Sequence, residues 1–153
     1  MYAPLLVLHS WGRWLVVAAA AFAVARLFFR GPASRLDALS RTALVASADL
    51  MLLLGTGLWA VSPLTPGGSG PAMGAVMKDK VLRFFAVEHP FSMVLVVVAL
   101  HVGSVLARKA TDESQARKRW AVALAVALVL VAVMVPWPWR GALARPLFTL
   151  SPG

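Results

Sequence analysis

From Ala3 to Phe29 the chain is apolar at every position except His9, Ser10, Arg13 and Arg26. A bilayer has roughly 30 Å of hydrocarbon, which takes about 20 helical residues to cross, so this run is long enough to span. Three further runs share its character: Thr42 to Val61, Val81 to Ala107 and Trp120 to Val135. A chain of 153 residues that is 60% hydrophobic and 14% charged cannot bury four such segments in a soluble core of its own. In lipid every backbone amide must be satisfied internally, and continuous runs of this length achieve that as helices. The expected fold is therefore all-α, an integral membrane four-helix bundle. It forms one domain over residues 1–140, with spans at about 3–29, 42–61, 81–107 and 120–135 and an exposed tail at 141–153.

The connections read in the same way. Gly31 and Pro32 end the first helix, and Ser34 to Arg41 forms a short polar connection with Asp37 or Ser40 placed to cap the second. Pro63 to Gly74, PLTPGGSGPAMG, is turn-rich and is expected to be the most mobile internal segment. Pro90 removes a backbone donor inside the third span and is expected to kink it. Tyr2, Ala3 and Pro4 lack the charge of a signal-peptide n-region, so the first span is expected to be retained.

Of the 15 Lys and Arg residues, Arg26, Arg30, Arg35, Arg41, Arg108, Lys109, Arg117, Lys118 and Arg119 fall on the side of the two short connections. Arg13, Lys78, Lys80, Arg83, Arg140 and Arg145 fall on the other. The positive-inside rule then places the short connections in the cytoplasm and both termini outside, in a bacterial inner membrane. The net charge of +9 follows the ends of apolar runs and does not gather on one face, which argues against a nucleic-acid partner and for the lipid bilayer. The absence of cysteine excludes disulfides, iron–sulfur clusters and thiolate chemistry. No nucleophile has a plausible base and no two carboxylates pair, so hydrolysis has no machinery, and whether the chain is an enzyme stays open.

The costly residues are the polar ones inside the spans. His9 lies six residues into the first span and His89 six beyond Arg83, so at 1.5 Å per residue both sit roughly 9 Å below the same surface. Two imidazoles at one depth on separate helices are what a b-type haem requires. They would equally suit a copper ion, a quinone pocket or a hydrogen bond between helices. Arg13 and Arg83 are placed to balance haem propionates. His101 lies about 18 Å farther in and has no histidine to pair with, so it reads as a packing or hydrogen-bonding residue. Asp49 is at a depth compatible with Arg13, which predicts a buried ion pair or, alternatively, a proton relay serving a redox step. Glu88, next to His89 in sequence, is expected to pair with a Lys or Arg at the interface.

Three segments carry a resemblance. Leu6 to Trp14, LVLHSWGRW, Met77 to His89, MKDKVLRFFAVEH, and Pro136 to Arg140, PWPWR, are similar to motifs of small four-span bacterial membrane proteins, frequent in Bacteroidetes-type genomes and labelled cytochrome b-like. The similarity runs from Tyr2 to Arg140 and implies a four-helix bundle with His9 and His89 as haem ligands and Arg13, Arg83 and Glu88 as neighbouring motif positions. Relatives often carry a histidine in the second span, within an HxQLLLG-like stretch, where this chain has Asp49 in ADLMLLLG.

The functional expectation is a b-type cytochrome holding haem b, moving electrons between a membrane quinol and an external acceptor. A different class of reading is a cofactor-free accessory subunit of a larger membrane complex, or of a homo-oligomer, packed through small residues such as Ala18 to Ala21, Gly55 and Gly57. A third is a transporter using His9, Asp49 and His89 along a path.

Overall fold

The computed structural model describes residues 1–28 and 34–148, and among these the regular structure is entirely helical. Helix α1 runs Tyr2–Phe28 and α2 runs Arg35–Val61. Short α3, Met73–Val76, precedes α4, Lys80–Arg83, which continues through a π-helical turn, Phe84–Glu88, into α5, His89–Arg108. Helix α6 spans Glu113–Met134, and a 3₁₀ turn follows at Gly141–Leu143. The expected break at Gly31–Pro32 and the last residues of the tail lie outside the described residues.

The polar stretch expected as a connection after Gly31 is helical from Arg35 onward, because the chain caps itself there. Ser34 adopts an extended backbone, and its N–H donates to Asp37 Oδ2 at 2.8 Å. Arg26, at the end of α1, donates through Nε to Asp37 Oδ1 at 3.0 Å and through Nη2 to Ser34 Oγ at 2.9 Å. One carboxylate thus starts α2 and ties it to α1. Helix α6 likewise begins earlier than Trp120, since Asp112 accepts from the Gln115 N–H at 2.8 Å and carries Arg117 to Arg119 as an exposed helical approach.

Three helices, Tyr2–Phe28, Arg35–Val61 and the continuous Lys80–Arg108, are long and apolar enough to cross a membrane. Helix α6 is shorter by this measure. Its uncharged helical part, Trp120 to Met134, rises only about 22 Å at 1.5 Å per residue.

Packing proceeds α1 on α2, α2 on α5 and α5 on α6, with α1 touching α6 lightly. The core is made of small residues and a few large ones: Ala19, Ala20 and Ala23 of α1, Leu44 and Ala48 of α2, Val96 and Leu100 of α5, and Trp120 and Leu124 of α6. Gly103 marks the closest approach of α5 and α6, where an added Cβ would lie 2.1 Å from that of Ala123. The outer surface is strongly apolar, with Leu53 70%, Val122 67% and Phe91 63% exposed. In water such a coat would drive aggregation, and in lipid it is the expected surface.

Two loops are more ordered than their composition suggests. In the Pro63–Gly74 segment Thr65 is only 2% exposed. Its hydroxyl donates to the Trp59 carbonyl, and its own carbonyl accepts from Gly68 and Gly70 at 3.2 and 3.1 Å. The segment expected to be most mobile is folded over the end of α2. The described part of the tail also returns to the bundle. Arg145 N–H donates to the Pro136 carbonyl at 3.0 Å. The Phe148 ring stacks on Trp14 at 5.4 Å and tilts against Trp11 at 5.0 Å.

Candidate functional site

The site lies at the end of the bundle that carries Tyr2 and Met134. Its first member, His89, begins α5 directly after the π-helical turn. Pro90 has no N–H to offer the Ala86 carbonyl four residues back, and the Trp59 indole of α2 donates to that carbonyl at 2.9 Å. The expected disturbance at Pro90 therefore takes the form of a widened turn ahead of it, bridged to α2. Turns of this kind recur at functional sites because they re-aim the next side chain.

His89 Nδ1 bonds the Met134 carbonyl at 2.8 Å. A carbonyl only accepts, so Nδ1 carries the proton and Nε2 holds the lone pair. Met134 is available because α6 ends there: Val135, ahead of Pro136, is extended, and the carbonyls of the last helical turn lose their intrahelical donors. The PWPW sequence therefore leaves an open carbonyl at the end of α6, and that carbonyl orients an imidazole.

The second member, His9, comes from α1. Its ring centroid lies 6.5 Å from that of His89, with the planes at 85°. On its other side the ring packs against Gly55 of α2, where an added Cβ would come within 3.1 Å of His9 Cε1. His9 Nδ1 is buried with no hydrogen-bond partner, an expensive condition for a polar atom. The two histidines at matched depth are thus brought together, with Gly55 giving the space.

Aromatic and cationic groups close the site. Phe84 stands 5.9 Å from the His89 ring, centroid to centroid. The Arg140 guanidinium lies 4.9 Å over Phe84, and that of Arg145 lies 4.3 Å over Phe85. Of these residues, Phe84, Phe85, Met134, Arg140 and Arg145 are not among the site residues expected from the sequence. The signal for Met134 is its place just ahead of Val135 and Pro136, where the helix has to end.

Other expected site residues have different partners. Arg13 Nη2 donates to the Pro146 carbonyl at 2.6 Å and to that of Leu147, while its Nε is buried and unpartnered. Trp14 Nε1 joins it on Leu147 at 3.2 Å. Arg83 is held within its own motif, donating to Glu88 Oε1 at 2.8 Å and to the Met77 carbonyl at 3.2 Å. Glu88 thus pairs with an arginine, as expected. The Asp49–Arg13 pair is corrected: both oxygens of Asp49 take His101 Nε2, at 2.9 and 3.1 Å. The physical reason is position. His101 of α5 stands beside Asp49 where α2 and α5 pack, whereas the Arg13 side chain turns to the returning tail.

No cluster of three or more His, Cys, Asp or Glu residues able to hold a metal ion occurs among the described residues. Two imidazoles are fewer ligands than a protein-built zinc site uses, and they are the donors a metal would need whose remaining positions are filled by its own macrocycle. No family model matches this chain, and no curated protein and no solved structure matches it either.

Proposed function

We propose that the chain is a four-span membrane protein of the cytochrome b-like kind that its three motifs resemble, in which His9 and His89 would hold haem b. The observation that carries this reading is the His9–His89 approach at 6.5 Å, with His89 Nδ1 engaged on Met134 so that Nε2 is the ligating nitrogen. Held by His9 and His89, such a group would supply one-electron transfer between a membrane quinol and an acceptor beyond the surface.

The protein's own residues would serve that task in specific ways. Met134 fixes the tautomer of His89 and raises its basicity. Gly55 seats the His9 ring, and Phe84 and Phe85 keep water from the pair. Arg13 and Arg140 supply positive charge on either side, Arg13 from α1 and Arg140 from the segment after α6. In this reading α6 completes the bundle as the fourth span, lengthened at its end by the interfacial Trp137 and Trp139, whose rings stack at 5.4 Å. The basic connections lie in the cytoplasm and both termini outside.

The test is an absorption spectrum of detergent-purified protein, oxidised and dithionite-reduced, beside His9→Ala and His89→Ala. A Soret band with sharp reduced α and β bands, lost or shifted in both variants, is the expected result. A folded, colourless protein from haem-supplied cells would overturn it and leave the accessory-subunit reading.

A further inference from the structure

Asp49 and His101 meet on the outside of the bundle, where α2 and α5 run side by side. Their side chains are 45% and 52% exposed. Asp49 is eight residues from Arg41 and His101 seven from Arg108, so they lie roughly 12 and 10 Å inside the last cation of each helix. An ionisable pair at that depth, half open to hydrocarbon, costs free energy that its single mutual contact does not recover. The rest of the face is exposed too. Thr42 and Thr56 flank Asp49 at seven residues on either side, with Leu53 between, and Val94, Val98 and Val105 line α5.

We propose that this α2–α5 face is the interface with a second copy of the same chain, related by a two-fold axis along the membrane normal. The pattern of charge selects that occupant. One acid and one base side by side form a self-complementary patch, and its two-fold image sets His101 against Asp49 twice. Nε2 of His101 is already spent on its own Asp49, so Nδ1 is the nitrogen left to face the second copy, and it is in the imidazolium form that its Nδ1–H donates to the lone pairs of the partner's Asp49. An axis along the normal keeps both pairs at one depth. The seven-residue spacing of Thr42, Asp49 and Thr56 is the period at which two helices remain in register along a left-handed seam.

The chain has no cysteine, which makes the test direct. Leu53→Cys sits one turn from Asp49 on the proposed seam, and Val129→Cys, 62% exposed on α6, serves as the off-seam control. Oxidation in the native membrane should link Leu53→Cys into a species of twice the chain mass and leave Val129→Cys monomeric. Replacing the pair together, Asp49→Leu with His101→Leu, should cut the linked fraction about tenfold, because both symmetric contacts are lost without stranding a charge. The unsubstituted protein weighed in lipid nanodiscs should show two copies per particle, whatever the fold of the double variant. One copy per particle, linkage at Val129→Cys equal to that at Leu53→Cys, or linkage of Leu53→Cys to a different protein would each overturn the proposal. None of these readouts depends on a bound haem.

Discussion

Pro90 has no amide hydrogen to give the Ala86 carbonyl, and the extended Val135 ahead of Pro136 ends α6 with the Met134 carbonyl open; in each case a side chain from another helix supplies the donor, Trp59 in the first and His89 in the second. The sequence shows the missing donors plainly. It does not show their replacements, which come from 27 and 45 residues away. Trp59→Phe should leave the Ala86 carbonyl without the indole donor and lower stability by about 1–3 kcal/mol, seen as a drop in the thermal midpoint in detergent. Adding Pro90→Ala returns an N–H to α5 and should recover part of that loss. At the His9 side, Gly55→Val places two methyl groups where a single Cβ already comes within 3.1 Å of the imidazole. It should displace His9 and, on the function proposed above, shift or abolish the Soret and α bands, while circular dichroism keeps its helical form.

Among the elements, the long helices were legible because their apolar runs are uninterrupted. The starts of α2 and α6 were not, because helical capping is local and polar, and polar residues beside a membrane read equally well as loop. Asp37 settles the start of α2 by accepting from Ser34 and from Arg26 together. Asp37→Ala removes both at once and should cost about 1–2 kcal/mol, measured as reduced resistance to chemical denaturation in micelles, with the greater part arising from the lost cap. The π-helical turn at Phe84–Glu88 is a different case. Nothing in the residue types distinguishes it from ordinary helix, and only the combination of Pro90 with the long-range Trp59 contact accounts for it. The shared level of His9 and His89 could be anticipated, since α1 and α5 start at the same end of the bundle and each histidine lies close to that end. The partner of Asp49 could not, because depth leaves the angle around each helix undetermined.

At the scale of the molecule, three helices fit a bilayer by length and apolarity, and the fourth is marginal by the same measure. If α6 completes the bundle across the membrane, Ser114 at its start and Ala142 beyond its end lie on opposite sides. Cysteines placed singly there should then react with an impermeant maleimide from opposite faces, Ala142→Cys in intact cells and Ser114→Cys only after the membrane is opened. Labelling of both from one face would remove α6 from the membrane. The surface between these ends is held by few polar contacts, and one of them is unusual in reach. Arg13 joins the tail at Pro146 and Leu147, 133 residues and more along the chain, and Arg13→Gln should release that tail to faster proteolysis. A ribosome delivers the chain from its N-terminal end, so α1 enters the bilayer long before those carbonyls exist. During that interval the guanidinium must borrow water or headgroup phosphates, and it exchanges them for protein only when synthesis has passed Leu147. The closing of this strap therefore comes only after every helix before it has been laid down.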